Sequence, residues 1–172
     1  MKLNFEAIFN AKAGIIYYKH LIVPVEIVTQ IKDAGIKRMK ITLNETIVSY
    51  SALISDGDGS HFIIMNKENE KKLKLSLGDK VNVQVEEDTS KYGMPLCPEM
   101  EELMRVDDEA VKYFDALKPG QRRNLIYLAS KPKSSDIRLV KSLIIMDYLK
   151  MKKGALDMKE LNQCMKDWRK NY

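Results

Sequence analysis

Apolar residues alternate with polar ones through much of the first half of the chain and shift to helical spacing in the second. The clearest alternation lies in the stretch Ile47 to Met65. Val48, Tyr50, Ala52 and Ile54 share one face before Asp56-Gly57-Asp58-Gly59, and Phe62 and Ile64 continue it afterwards. Period-two patterning on both sides of a Gly/Asp cluster predicts a β-hairpin. The glycines enter φ > 0 at little cost, and Asp56 and Asp58 accept hydrogen bonds from nearby backbone N–H groups. Turn chemistry therefore accounts for the cluster without a bound ion.

Leu3, Phe5 and Ala7 place an opening strand over Lys2–Phe9, and a break follows at Gly14. Ile15–Val23 reads as a second strand with both faces substantially apolar, which suits a barrel whose outside is partly covered. Pro24 opens a short helix carrying Ile27, Val28 and Ile31, and Gly35 stops it. Met39, Ile41 and Leu43 mark a strand from Lys37, joined to the central hairpin through Asn44-Glu45. Asn66–Lys74 reads as a short helix anchored by Leu73, and Val81, Val83 and Val85 mark the last strand. About six strands and two short helices predict a small closed barrel, because closure removes exposed strand edges.

The pattern changes at Tyr92-Gly93-Met94-Pro95-Leu96-Cys97-Pro98, so the boundary is drawn between a β-barrel domain over 1–93 and a helical accessory domain or wrap over 94–172. Pro98 starts a helix with Met100, Leu103 and Met104, and Asp107 N-caps another with Ala110, Val111, Phe114 and Leu117. Gln121–Ser130 turns Leu125, Leu128 and Ala129 inward. Ser134 or Ser135 caps Asp136–Lys150, whose Leu139, Val140, Leu143, Ile144 and Met146 form a wide apolar face. Asp157–Trp168 repeats Leu161, Cys164, Met165 and Trp168 before a frayed Arg169–Tyr172 tail. The fold class is α+β.

Charge adds an asymmetry that the pattern does not show. Residues 1–93 carry 13 basic and 12 acidic residues, 94–117 carry 2 and 7, and 118–172 carry 14 and 5, so the net charge of +5 comes from the last third. Lys71, Lys72, Arg122, Arg123, Lys131, Lys133, Arg138 and Lys141 are the candidate polyanion-binding residues, with Tyr127 as a stacking surface. Such a surface allows weak, salt-sensitive nucleic-acid binding, but it carries no recognition-helix, zinc-finger or RNA-binding signature. Met1–Glu6 lacks the apolar stretch of a signal peptide and no run reaches bilayer length, which predicts a soluble cytoplasmic protein with no membrane insertion.

Candidate chemistry is sparse. Two cysteines, Cys97 and Cys164, and two histidines give neither a disulfide framework nor a zinc pattern, and Asp56 and Asp58 lack the longer ligand ladder of an EF-hand. No phosphate loop or dinucleotide fingerprint occurs, so no cofactor or metal is expected. Ser60 and His61, adjacent on a strand, point to opposite faces; Ser49 or Ser51 can reach His61 across the expected hairpin, but no orienting acid is selected. Ser49, Ser51, Asp58 and His61 are therefore candidates for ligand binding, and no residue is assigned to catalysis. His20 fits a tyrosine-rich strand as an amphipathic filler.

The segments FEAIF, VPVEIVTQI, ISDGDGSHFIIMNK, SLGDKVNVQVEED and MPLCPEM resemble a bacterial family with an N-terminal domain of unknown function 1905. AVKYFDALKPGQRRNLIYLASKPKSSDIRLVKSL resembles that family's YdeI/OmpD-associated, bacteriocin-protection-like helical region. Together they cover most of residues 3–150. The resemblance implies a double-split-like β-barrel, of the type also associated with AbrB-like transcription-factor domains, followed by a helical C-terminal region. It implies no established reaction. The family's later motif combines Ala-Lys, Thr-Arg and Arg-Ile; here SKPKSSDIRLVK keeps only Arg138 as a basic counterpart. The expected function is a non-catalytic cytoplasmic binding or interaction protein, its partner an unidentified protein or small ligand. The alternatives are a nucleic-acid-associated regulator using the basic C-terminal surface and a small-ligand enzyme with a site near His61. Oligomeric state is not specified by these features.

Overall fold

The computed structural model describes residues 1–12 and 18–171. The expected break at Gly14, the strand start at Ile15, Ile16 and Tyr17, and the terminal Tyr172 lie outside the described residues. The chain divides into two compact units, 1–89 and 90–172.

In the first unit, β1 (Lys2–Lys12), β2 (Tyr18–Ile22), β3 (Met39–Leu43), β4 (Ile47–Ser51), β5 (Ile54–Ser55), β6 (His61–Ile64) and β7 (Lys80–Glu87) form one antiparallel sheet. Its order is β4-β3-β7-β1-β2-β6-β5. Register sets Phe5 opposite Val83, Ala7 opposite Val81 and Ile41 opposite Val85. One face consequently presents Ala7, Phe9, Leu21, Met39, Ile41, Leu43, Ile63, Val81, Val83 and Val85, none more than 2% exposed. Burying one large side chain of this kind contributes ~1.5–3 kcal/mol. Helix α1 (Val25–Asp33) adds Val28 and Ile31 to the cluster, and Leu73 of α2 (Lys67–Leu73) packs at its margin. Asn66 caps α2 by accepting from the Asn69 N–H at 2.8 Å.

The central hairpin forms over a shorter span than the alternation predicts. β4 pairs with β3, not with β6, and the hairpin is confined to Ile54 opposite Phe62 and Ser55 opposite His61. Ile47, Ser49 and Ser51 face the core beside Leu43, Ile41 and Met39, their register partners. The face shared by Val48, Tyr50, Ile54, Phe62 and Ile64 is thus the outer one, and the core takes Leu53, Ile63 and Met65 instead.

β4 and β5 are opposite edges of the sheet, yet only Ala52 and Leu53 separate them in sequence. Three steps of extended chain reach at most ~11 Å, so the sheet curls until its edges approach at that corner. No ladder joins β4 to β5 among the described residues, and the closed barrel expected from the sequence is instead a curled half-barrel of seven strands.

The second unit is helical: α3 (Pro98–Val106), α4 (Asp108–Ala116), α5 (Pro119–Ser130), α6 (Ser135–Met151) and α7 (Met158–Asn171). Its core gathers Met100, Phe114, Leu125, Ile126, Ile145, Met146, Leu149 and Leu161. Tyr92 belongs to it, edge-on to Phe114 with ring centres 5.3 Å apart. Asp107 caps α4 by accepting from the Ala110 N–H at 3.0 Å. Ser134 is the N-cap residue of α6 but makes no side-chain cap bond. On α6 the buried stripe is Ser142, Ile145, Met146 and Leu149, whereas Leu139 and Leu143 are exposed. That helix is apolar nearly all round, so periodicity does not select one face. Ser142 tolerates full burial by donating to the Arg138 carbonyl at 2.8 Å. Cys97 is buried and Cys164 half-buried, both as free thiols. Among the described residues, no helix is long and apolar enough to cross a membrane.

Candidate functional site

The outer face of β1, β2 and β6 carries the site. Register sets Asn10 opposite His20 and His20 opposite Ile64, with Ile22 opposite Phe62 one pair along. His20 is 7% exposed, unusual for a side chain on the outside of a sheet. Its ring centre lies 5.5 Å from that of Tyr18 and 5.0 Å from that of Phe62, and Tyr18 stacks on Phe62 at 5.2 Å. These separations are those of favourable tilted and offset aromatic contacts.

The β5–β6 turn sets His61 at the margin of a cleft that His20 also lines. The Asp56 N–H donates to the Ser60 carbonyl at 3.0 Å. Asp58 Oδ1 accepts from the Ser60 N–H at 2.9 Å and from Ser60 Oγ at 2.6 Å, and these bonds hold its carboxyl below the usual range. Gly57 and Gly59 occupy φ of +85° and +96°, which an L side chain resists. His61 Nδ1 lies 3.0 Å from the Gly59 carbonyl. A carbonyl only accepts, so Nδ1 carries a proton in this bond, and in the neutral ring Nε2 is the acceptor.

This cleft, of ≈ 220 Å³, is lined by Asn10, Lys12, His20, Asp56, His61 and Phe62 among others. Lys12 and Asp56 form an ion pair at 2.5 Å across its rim, and this bond raises the lysine pKa. His20 Nδ1 is buried with no hydrogen-bond partner. Burial pushes the His20 pKa down; Asp56 and the Tyr18 backbone pull the other way without overcoming it. The site therefore favours an uncharged imidazole at neutral pH, since desolvation penalises the charged form. Both histidines of the chain thus line one cleft.

Of the sequence-derived ligand candidates, His61 lines the cleft and Asp58 is occupied in building the turn beside it. Ser49 and Ser51 stand on β4 against Ile41 and Met39, so they are not the cross-strand neighbours of His61 that a full hairpin would make them. Among the described residues, no group of three His, Cys, Asp or Glu is placed to hold a metal ion. Asn10 and Lys12 were not singled out from the sequence, whereas His20 was read there as a strand filler and Asp56 as a turn residue. The available signal was the second strand's alternation, which puts Tyr18, His20 and Ile22 on the face opposite Leu21.

The basic candidates are spread over several surroundings. Lys72 pairs with Glu68 at 2.8 Å on α2, where Lys71 lines a separate cleft with Glu70 and Tyr18. Arg122 lies 5.6 Å from the Tyr92 ring centre and donates to the Asp115 carbonyl at 3.2 Å; Arg123 follows it on α5. Lys131 sits over Tyr127, and Lys141 donates to the Leu128 carbonyl at 3.3 Å. Arg138 is held by Glu99 and by the Lys133 carbonyl. Arg122 and Lys131 are nine residues apart along α5, a rise of ~13 Å.

No curated protein matches the chain. Residues 5–85 match the family described as Domain of unknown function (DUF1905), and that DUF1905-like region contains every residue lining the cleft.

Proposed function

We propose that the DUF1905-like unit is a binding module for a compact, uncharged ligand bearing both a hydrogen-bond donor and an acceptor. The observation that carries this reading is the convergence of both histidines on one cleft, with His20 buried among aromatic rings and making no hydrogen bond through Nδ1. A buried polar atom without a partner costs about 1–3 kcal/mol, so a structure keeps one at some expense to stability. The Lys12–Asp56 pair leaves the rim without net charge, which favours a neutral ligand over an ion. His61 Nε2 accepts from the ligand, and the His20 ring supplies the second polar contact beside the Phe62 edge.

The reading is one of binding without covalent chemistry. His61 spends Nδ1 on a backbone carbonyl, and neither histidine has a hydrogen-bonded carboxylate and hydroxyl nucleophile in line among the described residues. We read the curled sheet as a member of the double-split barrel type, because the contiguous β4 and β5 serve opposite edges. We read the helical unit as the YdeI/OmpD-associated kind on its motif resemblance, within a cytoplasmic bacterial interaction protein. A screen of compact neutral fragments, followed by backbone amide shifts, tests the proposal. Binders should perturb β1, β2 and β6 around residues 10, 20 and 61, and His20→Phe should abolish binding while keeping the aromatic packing. Binders that leave these strands unmoved would contradict it.

A further inference from the structure

α5 and α7 both pack against α6. α5 runs out at Ser130, a short turn leads into α6, and the 152–157 connection returns α7 along α6, bringing the end of α7 back to the start of α6. Lys141 lies one turn before the buried Ile145 on α6, and Arg169 lies one turn after the buried Met165 on α7. Side chains four apart share a helix face, so both cations extend the buried seam to its mouth. Lys131 joins them from the end of α5.

Lys141 spends one of its three N–H groups on the Leu128 carbonyl at 3.3 Å, one of those that α5 leaves open at its end. Lys131 Nζ lies 5.4 Å from the centre of the Tyr127 ring. None of the three cations is in an ion pair with a carboxylate among the described residues. Asp167, the nearest acid to Arg169 in sequence, faces Gln163 at 2.8 Å and Lys170 at 3.9 Å. Burial first, then the nearby charges of Arg169 and Lys131, lowers the Lys141 pKa. Ser130 Oγ, at the same end of α5, is buried without a hydrogen-bond partner.

We propose that Lys131, Lys141 and Arg169 form a receptor for a small, multiply charged oxyanion of the phosphate-monoester class. Such an anion replaces mutual repulsion among the cations with charge-assisted hydrogen bonds, and the Arg169 fork suits bidentate contact with two phosphoryl oxygens. Arg138 is neutralised by Glu99, and Arg122 lies at the other end of α5, so neither extends the cluster. Arg169 was outside the basic set read from the sequence, because a terminal tail gives no sign of folding back onto α6.

The test is a titration of the full-length, ¹⁵N-labelled chain with inorganic phosphate and with phenyl phosphate, at ionic strength held constant with sodium chloride. Saturable shifts should centre on residues 128–131, 141 and 169, and affinity should fall about tenfold or more in Lys131→Met and in Arg169→Met. Both positions are exposed, so helix content by circular dichroism should be unchanged in these variants; Lys141→Met is the third variant where it folds. Shifts that fail to saturate, or that survive both exposed-site variants, would overturn the proposal. A short oligonucleotide that binds more tightly than either phosphate and also shifts Arg122 and Arg123 would overturn it in favour of a polymer surface.

Discussion

Arg138 grips Glu99 with two parallel hydrogen bonds, Nε to Oε2 at 2.9 Å and Nη2 to Oε1 at 2.7 Å. The same guanidinium donates through Nη1 to the carbonyls of Pro132 and Lys133, and Ser135 Oγ donates to Glu99 at 2.6 Å. One arginine thus ties α3 to the α5–α6 turn and the start of α6. Its charge is balanced by Glu99 within the helical unit.

These bonds depress the Glu99 pKa from 4.5 to about 2, with the Arg138 bond the largest cause and the Ser135 bond next. A carboxylate with a lowered folded-state pKa contributes stability above its unfolded value, and loses it as pH falls through the folded one. Unfolding followed by Trp168, the single tryptophan, should show the helical unit weakening between pH 4.5 and about 2. Glu99→Gln should be less stable at pH 7 and should lack this contribution to the acid limb. An acid limb identical to that of the unchanged protein would refute the assignment.

The sidedness of β6 makes a sharp mutational contrast. Ile63 is 0% exposed and Ile64 is 48% exposed. Ile63→Ala should cost about 2–4 kcal/mol in urea unfolding of the first unit, and Ile64→Ala less than about 1 kcal/mol. Equal costs would mean that the strand register is wrong.

Asn44 and Glu45 occupy φ of 43° and 59° in the β3–β4 turn, closed by the Thr46 N–H donating to the Leu43 carbonyl at 3.0 Å. Two positive φ values in succession define the type I′ hairpin turn, for which Asn-Gly is the preferred pair. Glu45→Gly should therefore raise stability by about 1 kcal/mol, by removing left-handed strain from a residue with a Cβ. A loss of stability would indicate that the Glu45 side chain makes a contact of its own.

Strand and helix placement was largely legible because alternation and 3.6-residue spacing are local signals. Val81, Val83 and Val85, or Asp107 before its helix, needed no tertiary information. Pairing was not local. The run from Ile47 to Ser55 keeps one unbroken alternation, so nothing in it marks the corner at Ala52-Leu53 where the chain leaves β3 for β6. The site was hidden for the same reason. His61 stood out beside a Gly-rich turn, but His20 lies far back in the sequence and is brought to the same cleft only by the β2–β6 ladder. Tyr92, placed with the barrel by composition, packs on Phe114 because the chain turns into the helical unit before the prolines rather than at them.

The central claim is that His20 and His61 share one ligand. It is tested most directly by long-range ¹H–¹⁵N spectra of the two imidazoles during titration with the tightest neutral fragment found. The account predicts that both side chains shift with one common Kd, that His61 keeps its proton on Nδ1, and that His20→Phe abolishes the His61 shift. Independent responses, or a His61 shift that persists unchanged in His20→Phe, would contradict it.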